Sequence, residues 1–310
     1  MQSGGLQISD VHHQSNLSGT LYLGAAGACR FPPAWCLLIM ALLWLKIAVL
    51  LYGVAALAVL PTALYDRPIG RAIAVPAAIC AVMLHLVALA ETLNAAHHLL
   101  PVGVHETRSL FGLIFGITFL VVYWRFRTVS IGVFVLPIAF LLAILPAFAE
   151  RKETLGAPLV LSAWIVLHVT LLLAAYAALA VSLIASALYL LEERRLKRKQ
   201  PRNHLRWLPP LDTLDQIAAK SLVLGFPCMT VGLIIGSIIA QQHVGPSFFF
   251  DPKVLLSYAM WGAYMAMIFI RRYAGLRGRR AVYLSLFFMV VVLAVWSANH
   301  FSQVHRFPTP

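Results

Sequence analysis

Charge is what this chain lacks most. Only 11% of its 310 residues are charged and 61% are hydrophobic, against roughly 25% charged in an ordinary soluble domain. A water-soluble globule must cover its outside with polar groups, and there are too few here. That excludes the pair of soluble domains a chain of this length first suggests. Acids are the scarcer sign: 11 Asp and Glu stand against 24 Lys and Arg, a net charge of +13. Cysteine is scarce as well. Cys29, Cys36, Cys80 and Cys228 show neither CxxC nor Cys/His finger spacing, and two lie inside apolar runs, which argues against a disulfide framework or a zinc site. No GxSxG elbow, HExxH pair, phosphate loop or dinucleotide fingerprint occurs, and Glu91, Glu106, Glu150 and Glu153 have no paired-carboxylate spacing. Conventional catalysis is therefore poorly supported, and a catalytic role would be assisted transfer of a cofactor.

Long apolar runs are what the chain has instead. A helix needs about 20 apolar residues to cross a bilayer, and stretches 34–60, 71–93, 108–124, 129–149, 159–191, 217–241, 254–270 and 281–300 qualify. The period-two alternation of a membrane barrel is absent. The expected fold class is all-α, a polytopic membrane bundle of about eight transmembrane helices. Basic residues are retained on the cytoplasmic side of a membrane. With the N-terminus outside, the inner loops hold 17 of the 24: Arg67 and Arg71, Arg125 and Arg127, eight from Arg194 to Lys220, and five from Arg271 to Arg280. The outer segments hold 6, from Arg30 to Arg306, and Lys46 lies within the first span. The arrangement predicts N-out and C-out, and makes the basic excess a topology signal rather than a nucleic-acid footprint. Lys46 is expected to snorkel outward.

Residues 1–33 read as a disordered outer tail without the basic start and cleavage pattern of a signal peptide. Met40 competes with Met1 as the start. Residues 34–307 read as one membrane domain. Within it, the longest polar segment is 192–216, where Glu192, Glu193 and a basic run extend the fifth helix into the cytosol. Pro209 and Pro210 should break it, and Asp212 or Asp215 should cap the next helix. This loop reads as an anchor touching anionic lipid, with docking of a cytosolic protein as the alternative.

Histidine, at 11 residues, is plentiful for so apolar a chain. His12 and His13 sit in the tail and His204 in the basic loop; His97, His98, His105, His243, His300 and His305 fall at or beyond outer ends, and His85 and His168 lie inside spans. An imidazole within a membrane needs a partner, and its neutral ring is a common iron ligand. At 1.5 Å per residue His168 lies roughly 13 Å down the fifth helix from its outer side, with Tyr176 on nearly the same face. A packing role is the plain alternative. The outer loop 241–253, QQHVGPSFFFDPK, sharpens the choice. Phe248, Phe249 and Phe250 either anchor at the interface or floor a site for a flat ligand. Asp251 suits an N-cap, with Pro252 in the first turn of the seventh helix. An aromatic shelf with histidines on the surrounding helices fits a porphyrin, its ring on the π-surface and imidazoles on the iron.

At these residues the chain resembles the cytochrome c assembly membrane family (CcsA/CcmC/HemX-like). That family's hallmark is an outer loop WGxxWxWDPK flanked by two outward-facing, haem-ligating histidines. The corresponding run here is Val244-Gly245-Pro246-Ser247-Phe248-Phe249-Phe250-Asp251-Pro252-Lys253, so Gly, Asp, Pro and Lys match while the three Trp positions are Val or Phe. Trp164-x-x-x-His168 followed by Tyr176 resembles the helix bearing the first histidine; Leu208 to Asp215 and Thr230 to Ala240 resemble the next linker and helix. Arg277 to Ala281 resembles the following inner loop, and Val304-His305-Arg306-Phe307 the second histidine motif, with His300 the rival assignment. The resemblance covers about 159 to 307 in motifs and 40–150 in pattern only. The buried histidine that follows the loop in haem-transferring members is Ile270 here; its upstream counterpart is His85, with His105 competing. This weakened pattern is closest to the HemX-like branch.

The resemblance implies haem as cofactor, His168 and His305 as axial ligands of its iron, and the three Phe, Asp251, His300 and His85 as further haem-site residues. Lys253 or Arg306 would meet the propionates. It implies a role in c-type cytochrome assembly in a bacterial-type inner (plasma) membrane, with apocytochrome c or another assembly subunit as partner. The alternative is a non-catalytic HemX-like regulator or adaptor of tetrapyrrole synthesis or cytochrome assembly. A secondary transporter would need broken helices near the midplane. Gly232 and Gly236 are the only such hint, and small residues at that spacing more often pack helices.

Overall fold

Where apolar runs end in proline, glycine or charge, the helices end too. The computed structural model describes residues 33–65, 68–95, 104–149, 163–198 and 208–273, together with Tyr283 and Phe287. Its helices are α1 (Pro33–Tyr65), α2 (Pro68–Ala95), α3 (Val104–Phe126), α4 (Gly132–Phe148), α5 (Ala163–Lys197), α6 (Leu211–Val244) and α7 (Pro252–Tyr273). No strand occurs among the described residues. Six of the helices are long and apolar enough to cross a membrane. The shorter one, α4, has 17 residues, or about 25 Å at 1.5 Å per residue. The eighth expected span, 281–300, lies outside the described residues except for Tyr283 and Phe287, as do the tail up to residue 32, His97, His98, His204, His300 and His305.

Local chemistry explains several boundaries. Pro68 and Pro252 open their helices, where a missing N–H is harmless. Arg127 closes α3 with a positive φ of 55° and donates its N–H to the Tyr123 carbonyl at 2.7 Å. The basic run does carry α5 beyond its apolar stretch, to Lys197. Two ion pairs stiffen that end: Lys197 Nζ lies 2.5 Å from Glu193, and Arg195 meets Glu192 in a buried contact. One expectation fails at the next helix. Pro210 occupies the N-cap of α6 with no side-chain cap; Asp212 accepts from Gln216 on its own helix, and Asp215 is engaged by Arg271 of α7 at 2.5 Å. An ion pair with a neighbouring helix outcompetes capping for Asp215.

Consecutive helices run antiparallel. Tyr52 of α1 meets His85 of α2, whose neighbour across α3 is Ser109, while Arg71 at the other end of α2 meets Tyr123. The next pairs cross likewise: Gly132 of α4 against Phe119 of α3, Gly236 of α6 against His168 of α5, and Tyr258 of α7 against Ser237 of α6. The bundle therefore has two poles. One gathers Arg71, Arg125, Lys220 (5.2 Å from the Phe126 ring) and Arg271. At the other pole, Lys46 of α1 places its ammonium 5.6 Å from the Phe148 ring at the end of α4. This separates the basic helix ends from the phenylalanine turn described below.

Lipid chains are as apolar as leucine, so close backbone approach rather than hydrophobic exclusion holds such helices together. The buried positions show it. On α1, Ala41, Leu45, Ala48, Tyr52, Ala55 and Val59 are buried at alternating spacings of three and four; on α2, Ala74, Ala78, Ala81, His85 and Ala88 do the same. Alanine at these seam positions lets the two helices meet closely, and Leu50, Leu57, Ile79 and Met83 face outward as a lipid surface would require. The larger core joins α1–α4 to one face of α5 and to the start of α6 (Leu214, Ile217, Ala218); two smaller clusters join α5, α6 and α7. In that second half α6 is notched by glycine. A Cβ at Gly225 would strike the Tyr264 hydroxyl, and one at Gly232 would lie 2.9 Å from Leu172.

Candidate functional site

The residue singled out most strongly from sequence, His168, sits in the second turn of α5, half-buried against α6. Its Nδ1 is 2.7 Å from the carbonyl oxygen of Gly232. A carbonyl oxygen only accepts, so Nδ1 carries the proton and donates it. The neutral ring then keeps its lone pair on Nε2. A backbone carbonyl fixing one ring nitrogen while the other is left to ligate is the usual arrangement behind metal-bound histidine. Gly236, one turn beyond Gly232, packs directly on the imidazole: a Cβ there would stand 2.6 Å from Nδ1 and 3.1 Å from Nε2, and closer still to Cε1.

Polar contacts continue from this point toward the loop. Ser237, next to Gly236, meets the Tyr258 hydroxyl at 2.5 Å, and the Tyr258 ring stacks at 24° to Phe249 with centroids 6.4 Å apart. The Phe-rich run forms a short 3-10 helix, Pro246–Phe250, entered through Gly245 at φ 76°. That positive φ is open to glycine and strained for other residues. With three residues per turn, consecutive side chains point about 120° apart, so the three phenylalanines cannot share one face. Phe248 is buried at 1% exposure, whereas Phe249 and Phe250 are 50% and 83% exposed. The expected three-ring shelf is thus two exposed rings braced by a third, Phe248 lying 4.1 Å from Phe249 between centroids.

Asp251 caps α7 as expected, accepting the Lys253 backbone N–H at 2.9 Å. The Lys253 ammonium lies within electrostatic reach of both Asp251 and the His168 ring. The α7 helix is held by polar bonds that sequence reasoning missed: Trp261 Nε1 donates to Thr230 at 2.9 Å, and the buried Tyr264 hydroxyl donates to the Ala175 carbonyl at 3.5 Å. Hydropathy treats these residues as ordinary span members. Gly232 and Gly236 were visible only as a packing spacing.

Of the other nominated histidines, the two that are described, His85 and His105, are not gathered here. His85, fully buried at 0% exposure, faces Tyr52 and has Nε2 2.9 Å from Ser109 Oγ; it belongs to the α1–α3 seam. His105 is exposed at the start of α3. The convergence of a second imidazole from His305 or His300 falls outside the described residues. Among the described residues no group of three or more His, Cys, Asp or Glu is placed to hold a metal ion.

Fold and site together define a multi-pass helical membrane protein with a carbonyl-tethered histidine and an aromatic turn linked through Tyr258. Comparison with known proteins makes this specific. The chain belongs to the cytochrome c assembly protein family, whose model matches residues 35–305. It is 33% identical over 131 residues to Protein HemX of Brevibacillus brevis, covering 40% of this chain and 48% of that protein. It is 27% identical over 195 residues to the cytochrome c biogenesis protein CcsA of Prochlorococcus marinus strain MIT 9215, covering 56% and 62%. Protein HemX of Bacillus subtilis strain 168 is 28% identical over 159 residues, covering 51% and 58%. The chain therefore spans about half to three fifths of the length of these relatives.

Proposed function

We propose that this protein handles haem during the assembly of c-type cytochromes, in a bacterial-type inner (plasma) membrane, with the His168 pole facing away from the cytoplasm. The observation that carries the reading is the His168–Gly232 hydrogen bond. It leaves Nε2 as the nitrogen with a free lone pair, near a cation and linked through Ser237 and Tyr258 to exposed aromatic rings. These residues fit a haem: His168 would hold the iron, Phe249 and Phe250 would contact the ring, and Lys253 would meet a propionate. His305 would supply a second ligand to the iron in this reading, with His300 its rival. When bound, haem supplies the iron and the porphyrin ring destined for a cytochrome. The chain's own residues bind and orient that ring and keep it against apolar surface. Family membership and the CcsA relatives support the assembly role; partners would be apocytochrome c or another assembly subunit.

The test is spectroscopic. Protein purified in detergent and supplied with haem should give a six-coordinate visible spectrum that is lost in His168→Ala and in His305→Ala. A protein that cannot be loaded with haem overturns the proposal. It would favour the regulatory reading, supported by the projecting charged end of α5 through Lys197, by Ile270 in place of a second membrane histidine, and by the HemX relatives. That reading predicts capture of a cytosolic protein through 192–216, lost when the basic residues between 194 and 206 are neutralised.

A further inference from the structure

The tautomer of His168 is set by something on α6, and Gly236 is the residue placed to set it. In an α-helix each Cα–Cβ bond tilts toward the N-terminus. A side chain at position 236 would therefore overhang the carbonyl of position 232, one turn back. That carbonyl already accepts within the helix, but an oxygen has two lone pairs and can take a second donor if one can reach it. At Gly236 nothing intervenes, and the His168 ring occupies the space a Cβ would fill, with Nδ1, Nε2 and Cε1 all within 3.1 Å of it. Gly232 does a different job: its missing side chain admits Leu172, one helical turn along α5 from His168, so the two helices close up. One glycine brings the helices together, and the other uncovers the acceptor.

We infer that Gly236 is a positioning residue: its missing side chain forms a slot that seats the His168 ring on the Gly232 carbonyl, holds the proton on Nδ1, and keeps Nε2 as the ligating nitrogen. This deepens the haem reading and rests on it for its use, but the tautomer is a property of the protein without haem. Free neutral histidine prefers the opposite tautomer, with the proton on Nε2, so the slot works against the ring's own preference and its loss has a visible direction.

The experiment uses the full chain in detergent without haem, with ring-15N-labelled histidine, the His168 signals being identified by their loss in His168→Ala. The wild type is expected to show a protonated Nδ1 and a bare Nε2. Gly236→Ala is expected to shift His168 to the Nε2–H form or a mixture. Gly262→Ala, a helical glycine with nothing within 4 Å of the new methyl, should leave it unchanged. A wild type protonated on Nε2, or a Gly236→Ala signal identical to wild type, overturns the inference. Should Gly236→Ala fail to fold, Gly236→Ala/His168→Ala decides: recovery of a folded protein supports the ring-to-slot contact, and failure to recover refutes it. Haem titration of the same samples separates the two proposals. Nδ1–H in the wild type and its loss in Gly236→Ala, without haem binding in either, keeps this inference and discards the haem reading.

Discussion

The glycine notches of α6 make a quantitative claim that can be isolated at Gly225, away from the proposed ligand site. A Cβ there would press on the Tyr264 hydroxyl and stand 3.0 Å from the Ala178 Cβ. Tyr264 is fully buried and has no room to withdraw. Forcing a methyl into such a contact costs about 1–3 kcal/mol. Opposing it, alanine is a better helix former than glycine by about 1 kcal/mol. Gly225→Ala should therefore be destabilised by about 0–2 kcal/mol. Gly262→Ala, with open space around the new methyl, should be neutral or stabilised by up to about 1 kcal/mol. The difference between the two, about 1–3 kcal/mol, is the clash itself, with helix propensity cancelled. Unfolding by a denaturing detergent in mixed micelles, followed by the fluorescence change as Trp261 leaves Thr230, would measure it. Tyr264→Phe removes the obstructing oxygen and gives up only a long 3.5 Å bond. In the Gly225→Ala background it should be less harmful than alone, with a coupling of about 0.5–3 kcal/mol. Equal stability of Gly225→Ala and Gly262→Ala, or strict additivity with Tyr264→Phe, would refute the notch account.

Other consequences are as direct. His168→Ala should abolish the six-coordinate haem spectrum yet lower stability by only about 0.5–1.5 kcal/mol, one hydrogen bond's worth, in the same unfolding assay. His85→Ala should do the reverse: a fully buried ring and its Ser109 contact are lost, at about 2–4 kcal/mol, while the haem spectrum of the folded fraction stays in place. Asp215→Ala should destabilise the α6–α7 pair by about 1–3 kcal/mol, because Arg271, mostly shielded from solvent, loses its carboxylate, and Asp215→Leu/Arg271→Met should recover most of it. In a background with the four cysteines changed to serine, Phe250→Cys should react with an impermeant thiol reagent on intact cells. Leu196→Cys, exposed on the opposite pole, should react only after permeabilisation.

Which features could be read from sequence follows from what the bilayer imposes. Hydrocarbon excludes every structure but a few, so a 20-residue apolar run nearly dictates a helix, and the seven described helices, six of them long enough to span, lie where hydropathy puts them. Alternating basic loops gave the poles, which reappear as Arg71 against Tyr123 and Lys220 over Phe126. Hydropathy carries no azimuth, however. It cannot tell that Phe248 turns inward while Phe249 and Phe250 turn out, because that depends on the three-residue turn of a 3-10 helix. Nor could composition reveal that Asp215, placed like a cap, answers an arginine 56 residues away; the partner exists only once α6 and α7 are laid side by side. His168 stood out because an imidazole within a span demands a partner. The partner itself was hidden for a simple reason: it is a backbone carbonyl, a group every residue owns. What distinguishes the carbonyl of Gly232 is that the residue one turn on is Gly236, with no side chain to cover it. In a chain this poor in polar side chains, the absence of a methyl group can uncover a hydrogen-bond acceptor, and glycine spacing is then a chemical signal as well as a packing one.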